Sequence, residues 1–129
     1  MIFFIPKWRP ATLNSMIGRH HHVVGKIKKA DRQIVAAYFL QSGIPKATGK
    51  RTLRVTVLMG PRMRFVDCDA LWKSCLDALV ACGAIVDDNP DNLELLPLEQ
   101  EKAPKERHGT RWGTMIELTD VNPEPPEAE

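Results

Sequence analysis

Residues 66 to 88, VDCDALWKSCLDALVACGAIVDD, are the most constraining stretch of the chain, because they suit one amphipathic helix and little else. Leu71, Trp72, Cys75, Leu76, Ala78, Leu79 and Cys82 recur at helical spacing and form one wide apolar face. Gly83 is placed to end the helix in a left-handed cap. Carboxylates crowd both ends: Asp67 and Asp69 lead in, and Asp87 and Asp88 arrive where the chain returns. Asp69, Lys73 and Asp77 follow one another at i, i+4 and i+8 along the wet face. Each acid has a local explanation, as an N-cap, a helix-dipole partner, a salt-bridge neighbour or a turn residue. Their grouping at the turns is what those explanations leave over.

The three cysteines, Cys68, Cys75 and Cys82, lie seven residues apart in this same stretch. On a helix that interval is a rise of about 10.5 Å, too far for neighbouring thiols to share one zinc ion. They read as small residues facing the core.

Around this helix the chain alternates strand and helix signals. MIFFI, ended by Pro6 and Pro10, reads as a short buried strand, and KWRPATLNSMIGRHHH as a basic loop. From about Val24 to Gln41, Ile27, Ile34, Val35, Tyr38 and Phe39 recur near helical spacing with Ala30 and Ala37 filling in, and Gly43 and Pro45 stop the helix. TLRVTVL, residues 52 to 58, alternates and is β-branched, as a strand should be. NLELLPLEQEK and TRWGTMIEL suggest a closing hairpin, with Pro97 at an edge or bulge. The order β-α-β-α-β-β predicts an α+β domain: a small mixed sheet of about four strands carrying two helices, over residues 1–118. Residues 119–129, TDVNPEPPEAE, lack the apolar content to offset the entropy of ordering and read as a disordered acidic tail.

The net charge of +2 conceals a division. Residues 1 to 66 carry thirteen Lys and Arg against one acid, Asp31, whereas residues 67 to 129 carry five against fifteen. Self-repulsion on that scale is tolerated where a polyanion supplies the counter-charge, and phosphate backbones are the obvious candidates. The cations and histidine expected to meet phosphate are Lys7, Arg9, Arg19, His20, Lys26, Lys28, Lys29, Arg62 and Arg64. Adjacent side chains diverge, so His20 to His22 suit phosphate or base contacts better than chelation. Trp8, in the basic loop, could stack on an unpaired base. The longest apolar run, IVAAYFL, is far short of the roughly 20 residues of a membrane span. No export signal precedes the odd number of cysteines, so a cytoplasmic protein with no membrane partner is expected.

In a basic domain, gathered carboxylates suit a hard divalent cation such as Mg²⁺, which takes oxygen ligands and keeps several waters. The pattern D-x-D-x3-K-x3-D-A-L-x3-G-x3-D-D, from Asp67 to Asp88, resembles the signature of the RusA family of Holliday junction resolvases, small endodeoxyribonucleases often encoded by phages and prophages. The resemblance implies metal-binding aspartates at Asp67, Asp69 and Asp88 and an active-site lysine at Lys73, with Asp87 as a supporting ligand partner or a turn residue. It also implies Mg²⁺ or Mn²⁺ as cofactor, with no small-molecule cofactor, and a homodimer that nicks opposed strands of a four-way DNA junction in recombination and repair. The chain departs from the pattern in carrying Ala70 where the family usually has Asn, and NPDN after Asp88. The family's P-S-x-N segment is echoed only by PATLN, ending at Asn14, which the resemblance adds to the DNA-binding residues. A PD-(D/E)xK nuclease is disfavoured, since the single PD, Pro90-Asp91, has no D/E-x-K after it. The other class left open is a non-catalytic junction-binding module or phage adaptor that keeps the fold.

Overall fold

Alternation along one strand explains how the layers assemble. In β2 (Arg51–Met59), Leu53, Val55, Val57 and Met59 are buried, the period-2 signature of a strand with one face on a core. The computed structural model describes residues 1–11, 21–106 and 109–121. The chain runs β1 (Ile2–Pro6), α1 (His21–Ser42), β2, α2 (Cys68–Cys82), β3 (Leu93–Leu95), β4 (Glu99–Lys102), β5 (Lys105–Glu106), β6 (Gly109–Thr110) and β7 (Gly113–Asp120). It is α+β: a mixed five-stranded sheet with two helices, and a separate β5–β6 ribbon.

The final strands do not form the expected hairpin with each other. β7 inserts between β1 and β2, antiparallel to both, and β3 and β4 run parallel to β2 along its other side. A parallel pairing needs a crossover, and α2 is that crossover between β2 and β3. β3 and β4 behave as one edge strand broken at Pro97: Leu96 still donates its N–H to Leu53 O, and the ladder resumes at Glu99. A proline has no N–H to give, so the break falls where it must. The register superposes one apolar face, with Phe3 opposite Ile116, Val55 opposite Ile116 and Leu53 opposite Leu118. From the helices, Val35, Phe39, Leu71, Cys75, Ala78 and Leu79 complete the core.

The boundaries correct several sequence expectations. α1 begins at His21, so His21 and His22 belong to the helix, and Ala30 and Ala37 are exposed instead of filling the apolar face. β7 runs through Thr119 and Asp120, two residues into the stretch assigned to a disordered tail. Asp120 is held there by Arg51: Nε donates to Asp120 Oδ1 at 2.7 Å, Nη1 to Ala84 O at 3.0 Å and Nη2 to Pro45 O at 2.8 Å. A buried guanidinium is stable only when its donors are used. This one ties the α1–β2 loop, the turn after α2 and the end of β7 to the start of β2. Residues 122–129 of the tail lie outside the described residues.

Gly113 opens β7 with its backbone against β1: an added Cβ would overlap the carbonyl oxygen of Ile5 and stand 3.0 Å from Pro6 Cα. Gly83 ends α2 in the left-handed region at φ 85°, as expected, its N–H reaching back to Leu79 O and Val80 O. No helix among the described residues is long and apolar enough to cross a membrane.

Candidate functional site

The motif helix begins as its first acids require. Asp67 is the N-cap of α2, its Oδ1 accepting the Asp69 N–H at 3.1 Å, and Asp69 occupies the first turn where the helix dipole favours negative charge. Both carboxylates are exposed, as is Lys73 one turn on. The approach is held from the edge strand. Gln100 of β4 clamps Val66, its Oε1 accepting the Val66 N–H at 3.0 Å and its Nε2 donating to Val66 O at 2.6 Å. Gln100 was not singled out from sequence, where nothing distinguishes it from any polar edge residue. Only the β2–β4 pairing brings it across.

The second pair of acids takes a different place. Asp87 and Asp88 line a groove of about 450 Å³ between the helices, together with Asp77 and Ser74 of α2 and Lys28 and Arg32 of α1. Asp87 organises the turn, its Oδ1 accepting the Asp88 N–H at 2.8 Å and its Oδ2 accepting from Asn89 Nδ2 at 3.2 Å. Asp67, Asp69 and Lys73 do not line this groove. Among the described residues no three His, Cys, Asp or Glu side chains stand close enough to hold one metal ion. The expected convergence of Asp67, Asp69 and Asp88 is therefore not formed within the described part of one chain. α2 is 15 residues long, about 22 Å, and the returning turn lies along its flank instead of closing over its first residues. Each end does keep a carboxylate pair, and one or two carboxylates hold Mg²⁺ when phosphate oxygens and water complete its shell.

At the groove floor lies a polar network that reaches the amino terminus. Asp31, buried on α1, accepts from Ser74 Oγ at 2.6 Å and Ala11 N at 3.0 Å through Oδ2, and from Trp8 Nε1 at 3.1 Å through Oδ1. The one acid of the basic half is thus an internal acceptor that docks the amino-terminal segment onto both helices. Trp8 is consequently buried, and its proposed role as an exposed stacking residue is corrected: its indole N–H serves the core. Cys75 lies nearby and is wholly buried. Burial, then the charge of Asp31, then Cys82, push its thiol up to about 12. Burial also raises the Cys82 thiol. A thiol so far from ionisation is a packing residue and not a nucleophile or ligand, as its spacing suggested.

The basic residues divide between two places. Lys28 lines the groove, Lys29 lies in an adjoining cleft with Arg32, and Lys26 is exposed on the same helix. Lys7, Arg9, Arg62 and Arg64 belong instead to the loops at one end of the sheet. There Arg9 Nη1 donates to Arg64 O at 3.3 Å and to Met59 S at 3.8 Å, joining the segment after β1 to the loop after β2. Asn14, Arg19 and His20 lie outside the described residues. No family model matches the chain, and no curated protein matches it.

Proposed function

We propose that this chain is a divalent-metal-dependent endonuclease that cleaves phosphodiester bonds in branched DNA, with the four-way junction as its substrate. The observation that carries the reading is the setting of the Asp-x-Asp pair. Asp67 and Asp69 are exposed at the start of α2, immediately after a loop in which the backbone carbonyl of Arg64 accepts from Arg9 Nη1. Carboxylates that favour a hard cation thus follow guanidinium groups that favour phosphate. The resemblance of residues 67 to 88 to the RusA pattern supplies the substrate class and the homodimer, since two symmetric nicks are most simply made by a two-fold protein. Resolution of DNA recombination or replication intermediates, in a phage or prophage setting, follows from that same likeness, whereas a cytoplasmic location rests on the short apolar runs and the cysteine usage of the sequence.

Asp67 with Asp69, and Asp88 with Asp87, are the residues that would hold Mg²⁺ or Mn²⁺, which would supply an activated water and neutralise charge on the scissile phosphate. Lys73, an exposed point charge one turn beyond Asp69, acts electrostatically on the developing negative charge. Lys28 and Arg32 provide phosphate contacts from α1. Gln100 holds the backbone that presents Asp67.

Cleavage of a labelled four-way junction and of a matched duplex, with and without Mg²⁺, tests substrate and chemistry together. The expected result is metal-dependent nicking of the junction alone, abolished in Asp69→Asn and Asp88→Asn while junction binding in EDTA persists. Intact cleavage by Asp69→Asn would overturn the site. Ala70, which offers no side-chain hydrogen bond beside Asp69, favours the rival reading of a junction-binding module without chemistry; binding with no cleavage in either Mg²⁺ or Mn²⁺ would establish it.

A further inference from the structure

The sheet register collects four loop segments at one end. Pro6 and Leu58 both lie opposite Gly113, and Met59 lies opposite Lys102, so the chain after β1, after β2, after β4 and before β7 meets there. Two of them, the loop after β2 and the residue before β7, form an apolar cleft of about 350 Å³ lined by Gly60, Pro61, Arg62, Met63 and Trp112. The cleft wall is built from the backbone outward. The Gly60 N–H donates to Met63 S at 3.2 Å, and Lys7 N–H to Trp112 O at 2.9 Å.

Beside the cleft, Phe65 is 56% exposed, unusual for a phenylalanine with a core within reach. Lys102 stands over its ring, Nζ 5.2 Å from the centroid, and the same Nζ donates to Met63 O at 3.4 Å. Arg111, next to Trp112, lies over the Phe4 ring at 5.0 Å. Met63 thus links the cleft to Phe65: its sulfur takes the Gly60 N–H and its carbonyl oxygen takes Lys102, which stands over the Phe65 ring two residues before Asp67.

We infer that this cleft is a nucleobase site: it receives an unstacked base of a DNA strand, with Trp112 and Phe65 as stacking partners and Arg62, Arg64 and Lys102 on the flanking phosphates. The inference rests on the endonuclease reading and deepens it by naming the feature selected, an unpaired nucleotide at the branch point. Charge complementarity argues for this occupant over an apolar peptide: Arg62 lines the cleft, Arg64 and Lys102 adjoin it, and an apolar peptide would offer their charges no counter-ion. Aromatic faces accept any base, whereas cations placed around them track the backbone. Fully paired duplex offers no free base face, so the cleft discriminates open from closed DNA.

The test is binding of a fluorescein-labelled single-stranded oligothymidylate, and separately of a perfect duplex, to the full chain across a salt series. Phe65→Ala and Trp112→Leu are expected to weaken single-strand binding about five- to hundred-fold and leave duplex binding unchanged. The slope of log affinity against log salt should stay at the wild-type value in both variants. Arg64→Ala should lower that slope by about one and weaken both DNAs alike. Phe65 is exposed, so its replacement keeps the fold even if Trp112→Leu does not. Wild-type affinity in Phe65→Ala, or equal losses on single strand and duplex, would overturn the base site while leaving the nuclease reading intact. Failure of the wild-type chain to bind the single strand would overturn the base site, and failure to bind a four-way junction as well would overturn the nuclease reading.

Discussion

Replacing Asp31 by Asn isolates the network that joins the amino-terminal segment to both helices. The carboxylate accepts three hydrogen bonds, from Trp8 Nε1, Ala11 N and Ser74 Oγ, and each oxygen takes at least one N–H. An asparagine amide keeps the shape but offers only one acceptor oxygen. Turned either way, its NH₂ faces Trp8 Nε1–H or the Ala11 N–H, so one donor loses its partner and meets another donor. A hydrogen bond to a charged group is worth about 1.5–3 kcal/mol, and a buried donor left unpaired costs on the order of 1–3 kcal/mol. These overlap, and a net loss of about 2–3 kcal/mol is expected. With a urea m-value of about 1–3 kcal/mol/M, the midpoint should fall by roughly 0.7–3 M at unchanged m. Urea denaturation followed by tryptophan fluorescence reads this directly. Asp77→Asn, exposed on α2, serves as control and should change stability by less than about 0.5 kcal/mol. A midpoint for Asp31→Asn within the range of that control would refute the argument that the buried acid organises this end of the fold.

Cys75 should resist thiol reagents at pH 8 until the chain is unfolded. Its folded thiol titrates at about 12 against an ordinary 9.0, so above pH 9 the native state keeps a proton that the unfolded chain releases. Its contribution to stability is therefore complete below pH 9 and is lost as pH rises towards 12, by up to about 1.4 kcal/mol per unit. The stability difference between wild type and Cys75→Ala, measured at several pH values, should show that slope and be flat below pH 8. Gly113→Ala should cost on the order of 3 kcal/mol or more, because the added Cβ meets the backbone of Ile5 and Pro6 and no flexible side chain can yield. A thermal melt shows it as a large drop in Tm. Gln100→Ala frees Val66 and should lower junction cleavage about ten- to hundred-fold with junction affinity preserved, the mark of a residue that positions Asp67 without touching DNA. Equal loss of affinity and cleavage would give Gln100 a different role.

Local signals were legible wherever one segment carries its own reason for its shape. The α2 stripe, its N-cap acids and its Gly83 stop were readable because periodicity, capping and left-handed preference act within a few residues. The alternation of β2 was readable for the same reason. The hairpin expected from the last strands failed because adjacency in sequence says nothing of a partner that arrives from β1 and β2. Trp8 was misjudged because a tryptophan in a basic loop looks solvated until the fold places its Nε1 3.1 Å from an oxygen of the buried Asp31. The charge division was visible in the letters, but its sorting into a helix groove and a sheet-end rim depends on which strands pair.

The amino-acid sequence by itself determined the elements, the α+β class and the two clusters of aspartates that bound α2, since each arises from interactions a few residues long. Only the tertiary structure decided that Asp87 and Asp88 lie beside Asp77, Lys28 and Arg32, and that Gln100 reaches Val66. The same level of structure brought Trp112 against the loop after β2 to form an apolar cleft. Such contacts are set by strand order and register, which minimise exposed apolar area over the whole chain at once, and no local stretch carries that sum.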